Sequence, residues 1–175
     1  MMTFMEITGT GGPSNVPPLV NAGGDQVVTM PAAAALDGTV TDDGLIAPYT
    51  VLWTASGPGP VTFGNAAAED TSASFTTSGV YVLTLTADDG QYLVGDNVTI
   101  TVNQPPVVNA GPDQTITLPN GATLNGTITD DGLLVPYTVL WTGAGPGTVI
   151  FGNAAAEDTT ATFSTSGSYI LTLTA

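Results

Sequence analysis

Residues 49–87 read YTVLWTASGPGPVTFGNAAAEDTSASFTTSGVYVLTLTA, and residues 137–175 read YTVLWTGAGPGTVIFGNAAAEDTTATFSTSGSYILTLTA. Trp53 answers Trp141 and Tyr81 answers Tyr169, a constant offset of 88 residues (141 less 53). Self-similarity this close means one folding unit written twice. Inside the unit the apolar residues recur with period two. In 81–87, Tyr81, Leu83, Leu85 and Ala87 point one way and Val82, Thr84 and Thr86 the other. In 98–102, Val98, Ile100 and Val102 share a face with Thr99 and Thr101 outside. That alternation is a sheet with one dry and one wet face.

Helical periodicity is absent, and short Val, Ile, Thr, Tyr and Leu runs alternate with Gly, Pro, Asn and Asp clusters. The chain therefore reads as all-β. An extended lead-in over 18–20 precedes strand A at 26–30, B at 34–40 and C at 50–54. A C′ strand follows at 61–63, then E at 71–76, F at 80–87 and G at 97–102. Asp42-Asp43-Gly44, Gly57-Pro58-Gly59-Pro60, Ser78-Gly79 and Asp88-Asp89-Gly90 supply the turns. Seven or so short strands with a Trp on C and a Tyr in F form an immunoglobulin-like sandwich pattern. The two sandwiches span 17–103 and 104–175, after an N-terminal extension over 1–16. Trp53, Trp141, Tyr81 and Tyr169 read as core anchors.

The 175 residues hold 15 carboxylates and no Lys, Arg, His or Cys. No disulfide supports either core, and Leu83 stands about where a sandwich cysteine would stand. Nucleic acid and anionic membrane surfaces need cations on the protein, so both are excluded as partners. No run reaches transmembrane length, so no membrane insertion is expected. Without His, Cys or Lys there is no nucleophile–base pair, and the acids lie on turns, so no catalytic residue is assigned and no enzyme is expected. The lack of Lys and Arg also leaves trypsin-like proteases nothing to cut, which suits an extracellular or cell-surface location.

The segments NQPPVVNAGPDQTITLPNGATLNGTITDDG over 103–132 and TSGVYVLTLTADDG over 77–90, with the W…GPG…F run between them in each copy, resemble the PKD (polycystic kidney disease) domain, in particular the tandem repeats of bacterial surface and secreted proteins. The WxFGDG loop of well-known PKD versions is not matched. Here Phe63-Gly64-Asn65-Ala66 follows a longer spacing from the Trp. The resemblance implies an extracellular, non-catalytic sandwich that acts as spacer or adhesion module.

If that fold holds, Asp25, Asp42, Asp43, Glu69, Asp70, Asp88 and Asp89 gather at one end of the first copy. Asp113, Asp130, Asp131, Glu157 and Asp158 gather at that end of the second. Eight of them, Asp25, Asp42, Asp43, Asp88, Asp89, Asp113, Asp130 and Asp131, are candidate Ca²⁺ ligands, since Ca²⁺ takes oxygens from flexible loops. The competing reading is that Asp favours turns for its own backbone hydrogen bonds. No other cofactor is implied. Asn97-Val98-Thr99 and Asn125-Gly126-Thr127 match glycan acceptors at Asn97 and Asn125.

The second copy ends on strand F, and the chain begins with a strand-like segment that belongs to neither copy: Thr3, Phe4, Met5, Glu6, Ile7 and Thr8. An expected assembly follows. That segment donates strand G to the acceptor strand of a second copy, along Tyr169, Leu171, Leu173 and Ala175, making a head-to-tail filament by β-strand addition. Each apolar side chain buried there contributes roughly 1.5–3 kcal/mol. The alternatives are a calcium-stiffened spacer or adhesion module of a large surface protein, binding glycans or proteins, and an accessory domain of a secreted hydrolase.

Overall fold

The computed structural model describes residues 13–46, 48–134 and 136–175. They are all-β, and the chain divides into two compact units, the second running Asn103–Ala175. No helix among the described residues is long and apolar enough to cross a membrane.

The first unit contains β1 (Leu19–Asn21), β2 (Gln26–Thr29), β3 (Ala34–Asp37), β4 (Thr39–Thr41), β5 (Thr50–Ser56), β6 (Val61–Phe63), β7 (Asp70–Phe75), β8 (Gly79–Asp88) and β9 (Leu93–Asn103). One sheet has the order β2-β9-β8-β5, the other β3-β7-β6, and β1 pairs with β4. This is an immunoglobulin-like sandwich. Its inner faces carry the period-two residues, with Trp53, Tyr81, Leu83, Leu85, Val98 and Ile100 in one buried cluster. Trp53 stacks on Phe63 at 6.5 Å, and Phe75 tilts against Tyr81 at 4.7 Å. The Tyr81 hydroxyl donates to the Thr77 carbonyl at 2.9 Å, the tyrosine corner of such sandwiches.

Three expectations need correction. The strand over 34–40 is broken at Gly38 into β3 and β4. A methyl on Gly38 would lie 2.7 Å from both the Glu69 carbonyl oxygen and Leu85 Cδ2, so only glycine lets the chain cross this close to the opposite sheet. The segment 61–63 pairs with β7, not with β5, and so joins the sheet opposite the one expected. The last strand starts at Leu93, four residues before the expected start at 97, because the Asp89 turn closes by Tyr92 and Asp88 pairs directly with Leu93.

The second unit contains β10 (Val107–Asn109), β11 (Ala122–Asn125), β12 (Thr127–Thr129), β13 (Leu140–Ala144), β14 (Val149–Phe151), β15 (Asp158–Phe163) and β16 (Ile170–Thr174). β11-β15-β14 repeats β3-β7-β6, and β10 pairs with β12 as β1 does with β4. The Trp141–Phe151 and Phe163–Tyr169 ring pairs reproduce those of the first unit at 6.4 and 4.6 Å. The remaining sheet differs. It has two strands, β13 and β16, where the first unit has four.

Candidate functional site: an open strand slot in the second unit

In the first unit β9 lies between β2 and β8. Its partners across β8 are Ile100 opposite Tyr81, Val98 opposite Leu83 and Asp96 opposite Leu85. With β9 seated, Tyr81, Leu83 and Leu85 are each 0% exposed. The matching residues of the second unit are Tyr169, Leu171 and Leu173. Tyr169 and Leu171 are only half-buried, Ala175 is exposed, and Leu173 keeps its burial through β13. Ile170, on the outer face, is 73% exposed.

Two further elements change for the same reason. Residues 79–81 belong to β8 because they pair with β9 alone, and their equivalents 167–169 are not strand. Residues 114–117, equivalent to β2, are also not strand among the described residues, although Gln114 Nε2 still donates to the Thr123 carbonyl at 2.6 Å, as Gln26 does to Ala35 at 2.8 Å. Among the described residues no strand pairs with this segment. Between it and β16 lies a groove of about 1040 Å³ whose lining includes Gln114, Ile116, Leu124, Trp141, Tyr169 and Leu171.

Asp113 stands at this groove. Its counterpart Asp25 accepts the Thr99 amide of β9 at 2.8 Å. Asp25 is thus a clamp on the last strand, a role that sequence reasoning missed. The offset of 88 between the copies would have exposed it only once the partner amide was known. Asp113 is exposed and makes no hydrogen bond among the described residues. The donor residues Thr3, Phe4, Met5, Glu6, Ile7 and Thr8 lie outside the described residues.

The other carboxylates act on backbone. Asp42 Oδ2 accepts the Gly44 amide and Asp130 Oδ2 the Gly132 amide. Asp88 Oδ1 accepts the Gly90 amide. Asp43 accepts from Leu45 and, at 2.9 Å, from Val16 of the lead-in, while Asp131 does the same for Leu133 and Gln104. Glu69 takes the Val40 amide and the Tyr49 hydroxyl, and Glu157 those of Ile128 and Tyr137. Each tyrosine's pKa is raised first by that hydrogen bond to the glutamate, then by burial. Asp70 and Asp158 sit in strand register opposite Asp37 and Asn125. Among the described residues no three carboxylates converge as metal ligands. The side-chain oxygens Asn15 Oδ1 and Asp42 Oδ1 are buried without a partner. Asn97, on β9, and Asn125, on β11, are both exposed.

Among the described residues Asp89 is the one acid fully buried, at 1% exposure. Its Oδ1 accepts the Gln91 and Tyr92 amides at 2.8 and 2.7 Å, and its Oδ2 accepts Asn15 Nδ2 at 2.9 Å. Burial pushes the carboxyl up. The amides of Tyr92 and Gln91 and the Asn15 side chain more than reverse this, so it lies below the usual carboxylate range. A depressed carboxyl stabilises the fold above its unfolded pKa, about 3.9 for Asp, and that gain is lost as pH falls through the folded value. Asp89→Asn is therefore expected to lower the melting temperature of the first unit at pH 6. The gap to the parent chain should close progressively as pH falls below about 4. A gap independent of pH would show that the carboxylate charge is not what the turn uses.

Residues 22–102 match the family described as K319L-like, PKD domain. Over 170 residues, 90% of the chain, the sequence is 36% identical to the Dyslexia-associated protein KIAA0319-like protein of Mus musculus, of whose length it spans 16%. The resemblance had pointed to bacterial surface proteins, and this relative is from mouse. Among solved structures the chain is similar to the PKD domain from KIAA 1837 protein, at 29% identity over 61% of this chain and 100% of that one, TM-score 0.42. It is also similar to Sidekick-1 immunoglobulin domains 1-5, at 14% identity over 95% of this chain and 40% of that one, TM-score 0.51, a likeness of fold alone. Residues 22–102 thus match a PKD domain and fold as an immunoglobulin-like sandwich.

Proposed function

We propose that the chain is a structural subunit of an extracellular filament or fibre. Copies join head to tail when the N-terminal segment of one enters the second sandwich of the next. The observation that carries this reading is the groove beside β16, which has the place and lining that β9 fills in the first unit. Charge supports it as well. With 15 acids and no side-chain cation, two copies have no side-chain ion pair available between them. A backbone ladder with apolar side chains is the attraction that remains, and it is the kind that β-strand addition supplies. The contact uses different surfaces on the two copies, so it propagates without closing on itself.

Removing residues 1–10 is the test. The full chain is expected to form fibres visible by electron microscopy at high concentration, and the shortened chain to stay monomeric by light scattering with its first unit still folded. Fibres from the shortened chain would rule this assembly out.

A further inference from the structure

We propose that Asn120 is a site of spontaneous deamidation, where the Gly121 amide attacks the side chain and water then leaves isoaspartate or aspartate in the turn before β11. The site is internal to the second unit and independent of the strand-addition reading.

Asparagine is among the thermolabile residues, and a glycine after it leaves the attacking nitrogen unshielded by a Cβ and the backbone free to turn. Two asparagines of the chain precede glycine, Asn120 and Asn125. The fold treats them oppositely. Asn125 ends β11 in register with Asp158. The next residue, Gly126, is buried, and its amide donates to the Glu157 carbonyl at 3.2 Å. A methyl on Gly126 would lie 2.6 Å from that same oxygen, so the backbone there has no room to rotate. The nitrogen that would attack Asn125 is occupied and fixed. Asn120 and Gly121, in contrast, are exposed and lie outside the strands. The Asn120 amide closes a tight turn on the Thr117 carbonyl at 3.0 Å. The Gly121 amide and the Asn120 carboxamide make no hydrogen bond among the described residues. Elsewhere the glycine of such a pair is held: Gly44, Gly90 and Gly132 donate their amides to Asp42, Asp88 and Asp130. In the first unit the same turn closes from Ala32 to Thr29 at 3.0 Å, with Ala32 and Ala33 in the places of Asn120 and Gly121. The turn therefore does not depend on the carboxamide.

The Gly121 nitrogen forms a bond to Asn120 Cγ, the Cγ–Nδ2 bond breaks, and ammonia leaves with the amide proton. Water then opens the five-membered imide at either carbonyl, with no change of oxidation state. Opening at Cγ gives aspartate. Opening at the main-chain carbonyl gives isoaspartate, which adds one methylene to the main chain just ahead of Ala122, a buried residue paired with Ala161. Either product adds a negative charge to a chain with 15 acids and no side-chain cation.

The full chain is incubated in mildly alkaline buffer at body temperature, digested with pepsin, and mapped by mass spectrometry for the gain that accompanies amide-to-acid exchange. Asn125 reacts only when β11 opens locally, so Asn120 is expected to convert at least about ten-fold faster in the folded chain. In urea neither site is held, and the two rates should come within about three-fold of each other. Isoaspartate at Asn120, read by enzymatic methylation of the mapped peptide, is expected alongside aspartate. Asn120→Ala, which installs the residue of the first unit's turn, should remove the fast conversion and leave the melting temperature of the second unit unchanged. Equal rates at the two sites in the folded chain would overturn the proposal. So would a folded chain in which Asn120 is slowed as much as Asn125 relative to urea, since the turn would then shield it.

Discussion

Replacing Trp53 by alanine is expected to unfold the first unit at or near body temperature. The indole is 2% exposed and anchors both sheets. Its Nε1 donates to the Ala68 and Glu69 carbonyls, both at 3.1 Å, its ring stacks on Phe63, and its own amide holds the Ala66 carbonyl at 2.8 Å. Trp→Ala in a core costs about 3–5 kcal/mol. A small domain without disulfides sits at the low end of the usual range of about 5–15 kcal/mol, so the loss removes most of its margin. Trp53→Phe separates the terms. It keeps an aromatic ring but leaves both carbonyls without the indole donor, at about 1–3 kcal/mol. Urea titration reads both variants, and Trp141, the remaining tryptophan, reports the second unit in the same sample. A shift below about 1 kcal/mol for Trp53→Ala would mean that the core closes over the gap, contrary to this account of how the sheets are held.

The features legible in the sequence were those written into local pattern. The period-two runs located β5, β7, β8 and β9 to within a few residues, and the repeat identified Trp53, Tyr81 and Trp141 as anchors, whereas Tyr169 is only half-buried. What the sequence concealed depends on which strands meet. Nothing in Val61-Thr62-Phe63 says whether it pairs with β5 or β7, because both sheets offer it an apolar face. The break at Gly38 follows from the Glu69 carbonyl and Leu85, far along the chain, crowding one Cβ position. The acids divided in the same way. Asp42, Asp88 and Asp130 cap the amide two residues on, as turn chemistry predicts. Asp25, Asp43, Asp89 and Asp131 reach across the fold to Thr99, Val16, Asn15 and Gln104, which no spacing rule could have paired. The counterparts of Tyr81, Leu83 and Leu85 were readable from the repeat. That the groove beside them is already shaped, with Gln114 tethering its far wall, needed the structure.

The central claim is that the second sandwich takes a strand from another copy where the first uses its own. Amide hydrogen exchange over residues 169–174 tests it most directly, comparing the full chain under assembling conditions with the chain lacking residues 1–10. Seating a strand against β16 closes its free edge, and opening it again then requires breaking the new ladder. Exchange in the full chain is expected to slow by about 100-fold, equivalent to about 2.7 kcal/mol of added opening energy, approaching the protection of β8. Equal exchange in the two chains, with β8 protected in both, would contradict the claim.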